Sequence, residues 1–215
     1  MMVMHIVRKD FTYLFTSLKW TVFLIILFTV CLSGSNVGMG CVMPALICYM
    51  GFYNLMAYEE RNKMNLLNIA LPVERKDICL AKYIQVIIFI VIGSLLSAAS
   101  VFLAVKTGDT KMAFWEGKIG GFLLTGTSIG LIYSGFIMPW IFYFGTLKSR
   151  YVLIVSYIIF FSLGNIINLE FLIEATEFLQ RMNQDILGFV GLLVAILVFG
   201  ISYSISLRIW EKREF

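Results

Sequence analysis

Five stretches of this chain carry no charged residue, and their lengths set the fold. They cover residues 20–58, 83–105, 119–147, 151–169 and 186–207, or 39, 23, 29, 19 and 22 residues. A helix rises about 1.5 Å per residue, so about 20 apolar residues cross a bilayer's hydrocarbon. The first stretch suffices for two passes around the turn Ser33-Gly34-Ser35-Asn36-Val37-Gly38-Met39-Gly40. The pattern predicts an all-α polytopic membrane protein with six transmembrane helices over 20–35, 39–57, 83–105, 119–144, 151–169 and 186–207. Barrel strands would alternate over about ten residues at a time, and these runs are continuously apolar.

The pieces between the runs are amphipathic. Val3, Ile6, Val7, Phe11, Leu14, Phe15 and Leu18 recur at helical spacing, with Arg8, Lys9 and Asp10 between them. Residues 1–19 therefore read as an interfacial helix and not as a cleavable signal. Residues 58–82 hold nine charges. A helix continuing from the second span would pair Glu59 with Lys63 at i, i+4. Pro72 stops it, the chain bends near Leu71, and a second short helix starts at about Val73. A loop of this size and mixed charge invites a soluble partner. A third amphipathic segment, residues 170–185, pairs Glu177 with Arg181 and suits the outer interface.

Composition agrees: 60% of the 215 residues are apolar and 14% charged, and the mean hydropathy is +0.90. A soluble domain carries nearer a quarter charged residues. With both termini inside, 13 Lys and Arg face the cytoplasm and four (Lys106, Lys111, Lys118 and Arg181) face out, as the positive-inside rule requires. The net charge of +4 gives no reason to expect a nucleic acid partner.

No Asp, Glu, Lys, Arg or His falls in a predicted span, which argues against ion-coupled transporters and proton pumps. The single His, His5, cannot supply a metalloprotease. Glu59-Glu60 is similar to the paired glutamates of prenyl-protein-processing membrane proteases, but Met64 stands where those carry Arg. Cys41 and Cys48 lie seven apart on one helix face and read as packing rather than ligands. There is no phosphate-binding Gly-x-x-x-x-Gly-Lys-Ser/Thr loop. The fourth run is dense in glycine, with Gly126 and Gly130 at a spacing that brings helices close and Pro139 near its inner end.

The order of these features resembles the permease subunit of a small bacterial type-2 ABC exporter. Glu59-Glu60, Leu66-Leu67, Leu71-Pro72-Val73-Glu74-Arg75-Lys76-Asp77-Ile78 and Lys82-Tyr83 carry the closest match. The resemblance implies a half-transporter in the bacterial plasma membrane that pairs with a second copy or a paralogue. It implies two separate ABC ATPase subunits, which bind the ATP and Mg, so this chain needs no cofactor and is not itself an enzyme. Glu59, Glu60, Arg61, Lys63, Leu71, Pro72, Arg75 and Lys76 are the expected ATPase-coupling residues. Small relatives include exporters of amphipathic cytolytic and antimicrobial peptides, phenol-soluble modulins among them. Tyr49, Tyr53, Asn54 and Asn165 are the expected substrate-path residues, since helices one, two and five of the family commonly border the central path. Lipids or small hydrophobic drugs as cargo, or a non-transport scaffold, remain the alternatives.

Overall fold

A computed structural model describes residues 2–35, 37–62, 74–106, 119–146 and 184–212, with 148, 149, 151, 152 and 155 besides. These form α1 (Met2–Ser17), α2 (Lys19–Ser35), α3 (Val37–Arg61), α4 (Arg75–Lys106), α5 (Ile119–Phe144) and α6 (Gln184–Lys212). Among the described residues there is no strand. The fifth predicted span lies outside them save for a few positions. The Pro72 bend and the 170–185 segment lie wholly outside.

Four helices are long and apolar enough to cross a membrane: Gly40–Arg61, Arg75–Leu103, Gly120–Phe144 and Gly188–Lys212. α2 adds a fifth when taken with α1, from which it is bent by 85°. The chain is thus the polytopic helical protein its runs predict. With α2 crossing, α1 lies close to the bilayer plane. Large side chains left exposed on the membrane helices, such as Phe23, Leu197 and Ile201, are normal where the solvent is lipid.

α5 packs along α6, α3 is flanked by α4 and α5, and α2 and α1 close the bundle against α3 and α4. The close approach has a specific device. Pro44, within α3, sits among three glycines of its neighbours. A Cβ added to Gly93 of α4 would meet Pro44 Cα at 3.0 Å, and one on Gly126 of α5 would meet Pro44 Cγ at 3.3 Å. At Gly130 of α5 a Cβ would touch Ile90 at 3.1 Å and Pro44 Cβ at 3.5 Å. Small residues at such crossings let backbones meet where no hydrophobic force drives helices together. Gly126 and Gly130 of the fourth run therefore serve packing within the chain, as their spacing predicts.

Helix ends differ from the expectation. α4 begins at Arg75 and continues through the third span, so the short helix expected from about Val73 is the first turns of a membrane helix. α3 runs on to Arg61, as the expected continuation of the second span through Glu59 requires. Charged residues near the inner ends do not stop either helix, because partners from other helices meet them.

Candidate functional site

The end of the bundle that the sequence predicts to face inward gathers most of the polar chemistry among the described residues. On α1 the buried stripe is Ile6, Asp10 and Leu14, at steps of four. On α3 it is Phe52, Leu55, Met56 and Glu59, and on α4 Ile78, Cys79, Lys82, Gln85, Val86 and Phe89. Each stripe follows the i, i+3, i+4 rule that turns side chains to one helix face. The charged members are thereby carried into the core.

They meet there. Lys82 Nζ donates to Asp10 Oδ2 at 2.7 Å and to both Glu59 oxygens at 2.8 Å. Gln85 Nε2 donates to the same Asp10 oxygen. Asp10, Glu59, Lys82 and Gln85 are each 1% exposed or less. Burial alone would raise the Asp10 carboxyl; the Lys82 ammonium and the hydrogen bonds outweigh it and hold Asp10 below its ordinary value. Three helices far apart in sequence are tied at one point, and an ammonium shared by two carboxylates gives the tie its geometry.

Glu60 leaves α3 in another direction. Its Oε2 accepts the backbone N–H of Thr146 at 2.7 Å, while Tyr53 Oη donates to the Thr146 carbonyl at 2.9 Å. The chain turns here through Gly145, at φ +79°, which closes α5 with its N–H on the Ile141 carbonyl. Left-handed glycine after the last helical turn is a common helix stop. Ser149 N–H bonds back to the Gly145 carbonyl, so Glu60 holds the open N–H of a new helical turn.

The expected coupling residues therefore divide. Glu59 is buried against Lys82, and Glu60 is half-buried against Thr146, so both act inside the chain. Arg61 and Lys76 are exposed at the inner end. Arg75 is exposed too, and its guanidinium donates to the Glu211 carbonyl at 2.9 Å, joining the start of α4 to the last turn of α6. Lys63, Leu71 and Pro72 lie outside the described residues. Asp10, Lys82, Gln85 and Thr146 are members the sequence reading did not single out.

The expected path residues divide likewise. Tyr49 and Tyr53 face a cleft between α3 and α5, with Phe52, Tyr133, Ile137 and Ile141 as its other main walls. Its volume is about 20 Å³, room for a water-sized guest. Tyr49 stacks loosely on Tyr53 at 5.2 Å and meets Tyr133 edge-on at 6.5 Å. Asn54 is turned back on its own helix, Nδ2 donating to the Met50 carbonyl at 2.6 Å. Asn165 lies outside the described residues.

Among the described residues no group of three or more His, Cys, Asp or Glu could hold a metal ion. Cys48 is buried in the core and Cys41 half-buried, in keeping with a packing role.

Compared with curated proteins, the chain has no match. Its agreement with a family is nevertheless nearly end to end: the family model described as ABC-2 family transporter protein matches residues 5–211. An all-helical polytopic chain with that match belongs to the ABC-2 family and is the membrane permease subunit of an ABC transporter, not itself catalytic.

Proposed function

We propose that the chain is one half of an exporter driven by two separate ATPase subunits, and that its cargo is an amphipathic cytolytic or antimicrobial peptide. The observation that carries this reading is the contrast between the two levels of the bundle. Its middle offers hydroxyls and aromatic faces without a fixed charge over residues 83–105, 119–144 and 186–207, while its inner end is polar and cross-tied. An uncharged, mainly apolar interior suits a guest that enters from the lipid side as a membrane-bound helix.

Tyr49 and Tyr53 border the cleft between α3 and α5, and a second copy or paralogue would complete a path wide enough for a helix. Force arrives at the inner end. Arg61 and Lys76 present the charge that an ATPase surface meets, and the Asp10–Lys82, Glu59–Lys82 and Glu60–Thr146 contacts make α1, α3, α4 and the turn after α5 respond together. In this reading both termini and the ATPase lie on the cytoplasmic side of the bacterial plasma membrane, and export is the direction that the resemblance to type-2 exporters implies.

The test is reconstitution with a partner ABC ATPase. Amphipathic helical peptides should stimulate ATP hydrolysis, and cells carrying the complex should survive higher doses of them. A complex stimulated by lipids or small hydrophobic drugs and indifferent to such peptides would replace this cargo.

A further inference from the structure

The cluster at the inner end does not balance. Asp10 and Glu59 bring two carboxylates and Lys82 one ammonium, and all three side chains are 2% exposed or less. A net buried charge costs several kcal/mol after relaxation. The two carboxyl groups also meet on one ammonium, Lys82 Nζ lying 2.7 Å from Asp10 Oδ2 and 2.8 Å from both Glu59 oxygens. Carboxylates in such contact repel unless a proton lies between them.

Two acceptors tell the same story. Gln85 Oε1 and Asp10 Oδ1 are buried without a hydrogen-bond donor. Lys82 already has its ammonium engaged by Asp10 Oδ2 and by both Glu59 oxygens. Other charges facing the pair are few. Lys9 of α1 approaches Asp10 Oδ1 at 3.6 Å from the solvent side, one-third exposed, too long for a hydrogen bond. Glu60 of α3 is turned to Thr146, and α4 contributes Lys82 and the neutral Gln85. Among the fully buried groups one positive charge is missing and Asp10 Oδ1 has no hydrogen-bond donor, and a single proton supplies both.

The geometry points to a proton-binding site in this permease: the Asp10–Glu59 carboxyl pair, seated on Lys82 and Gln85, holds one dissociable proton that joins α1 to α3. Because the two acids sit on different helices, drawing α1 away from α3 ends the sharing and releases the proton. The site belongs to the chain itself and does not depend on which cargo it moves.

The test uses the purified full-length chain in lipid nanodiscs. Infrared spectra at neutral pH should show the C=O stretch of a protonated carboxylic acid, absent in Glu59→Gln and in Asp10→Asn. Each variant leaves the other acid paired with Lys82 and changes no side-chain shape. Unfolding supplies a second readout. The folded chain carries a proton that the unfolded chain, with both acids ionised, does not, so stability must fall as pH rises through the pair's titration. The unfolding constant should climb by up to about tenfold per pH unit, the slope of one linked proton, and Glu59→Gln should lose that slope. Absence of the acid band in the wild type between about pH 6 and pH 8, or a band unchanged in both variants, overturns the site. So does a stability that follows sodium or potassium at fixed pH, which would make the occupant a metal cation.

Discussion

The Glu60 carboxylate accepts the backbone N–H of Thr146 at 2.7 Å across 86 residues of sequence. It thereby fastens the end of α3 to the turn that follows α5. Gly145 stands within the same contact, for a Cβ placed on it would lie 3.1 Å from Glu60 Oε1. Glu60→Ala should destabilise the chain by about 1 kcal/mol, as loss of a capping acceptor does, and Glu60→Gln, which keeps an acceptor, should restore most of it. Gly145→Ala should cost about 1–2 kcal/mol for the left-handed backbone. Thermal unfolding in detergent measures all three, and an unchanged midpoint for Gly145→Ala would contradict the turn.

Lys82 is the harsher target. Lys82→Met leaves the buried Asp10–Glu59 acid pair without its cation, and breaking a buried pair from one side costs about 3–5 kcal/mol. The combined Asp10→Leu, Glu59→Met, Lys82→Met variant removes every charge at once and should recover most of that loss. Unfolding midpoints of the single and triple variants decide the matter, and a triple variant no better than Lys82→Met would mean that packing, not charge, fails.

Docking of the ATPase is best probed where the side chain is exposed and makes little internal structure. Arg61→Glu and Lys76→Glu should lower cargo-stimulated ATP hydrolysis severalfold with the melting temperature unchanged, because misplaced charge at an interface penalises binding and not folding. Full stimulation in both would move the contact elsewhere.

Topology gives a fourth outcome. Tags near Glu74, at Gly145 and at either terminus should report the cytoplasm, and tags near Asp109 and Gln180 the outside. The Arg75–Glu211 contact already requires the start of α4 and the end of α6 to share a side. Opposite labelling of Lys76→Cys and Lys212→Cys would break the scheme.

Of the cleft residues, Tyr53→Phe loses the hydrogen bond to the Thr146 carbonyl and should cost about 1 kcal/mol of stability. Tyr49→Ala should instead reduce peptide-stimulated hydrolysis with less effect on folding. Equal stability losses with full stimulation in both would take the pair out of the path.

The runs without charge made the membrane helices legible, because spanning hydrocarbon admits so few backbone solutions. The 85° bend before α2 was foreshadowed by the amphipathic period of residues 3–18. What hid the ionic cluster was the habit of assigning charge to the water side. Asp10 stands beside Arg8 and Lys9 as if on the polar face, although Ile6, Asp10 and Leu14 stand at steps of four on one stripe. Lys82 and Glu59 keep register with Val86 and with Leu55 in the same way, so the signal was periodicity with a charged member. Glu60's partner offered no such clue, since a backbone N–H on a turn 86 residues away leaves no mark in the pattern.

The nest of Gly93, Gly126 and Gly130 around Pro44 fixes where this bundle pivots. Proline removes the intrahelical bond to the carbonyl of residue 40, so α3 is softest at the point where its neighbours grip it most tightly. From Pro44 to Glu59 is 15 residues, a lever arm of about 22 Å. A tilt of about 5° at the fulcrum sweeps the Glu59 carboxylate through about 2 Å, more than a hydrogen bond tolerates. A small rotation deep in the membrane is thus magnified into a discrete make-or-break event at the ionic cluster, and a push delivered there returns along the same arm.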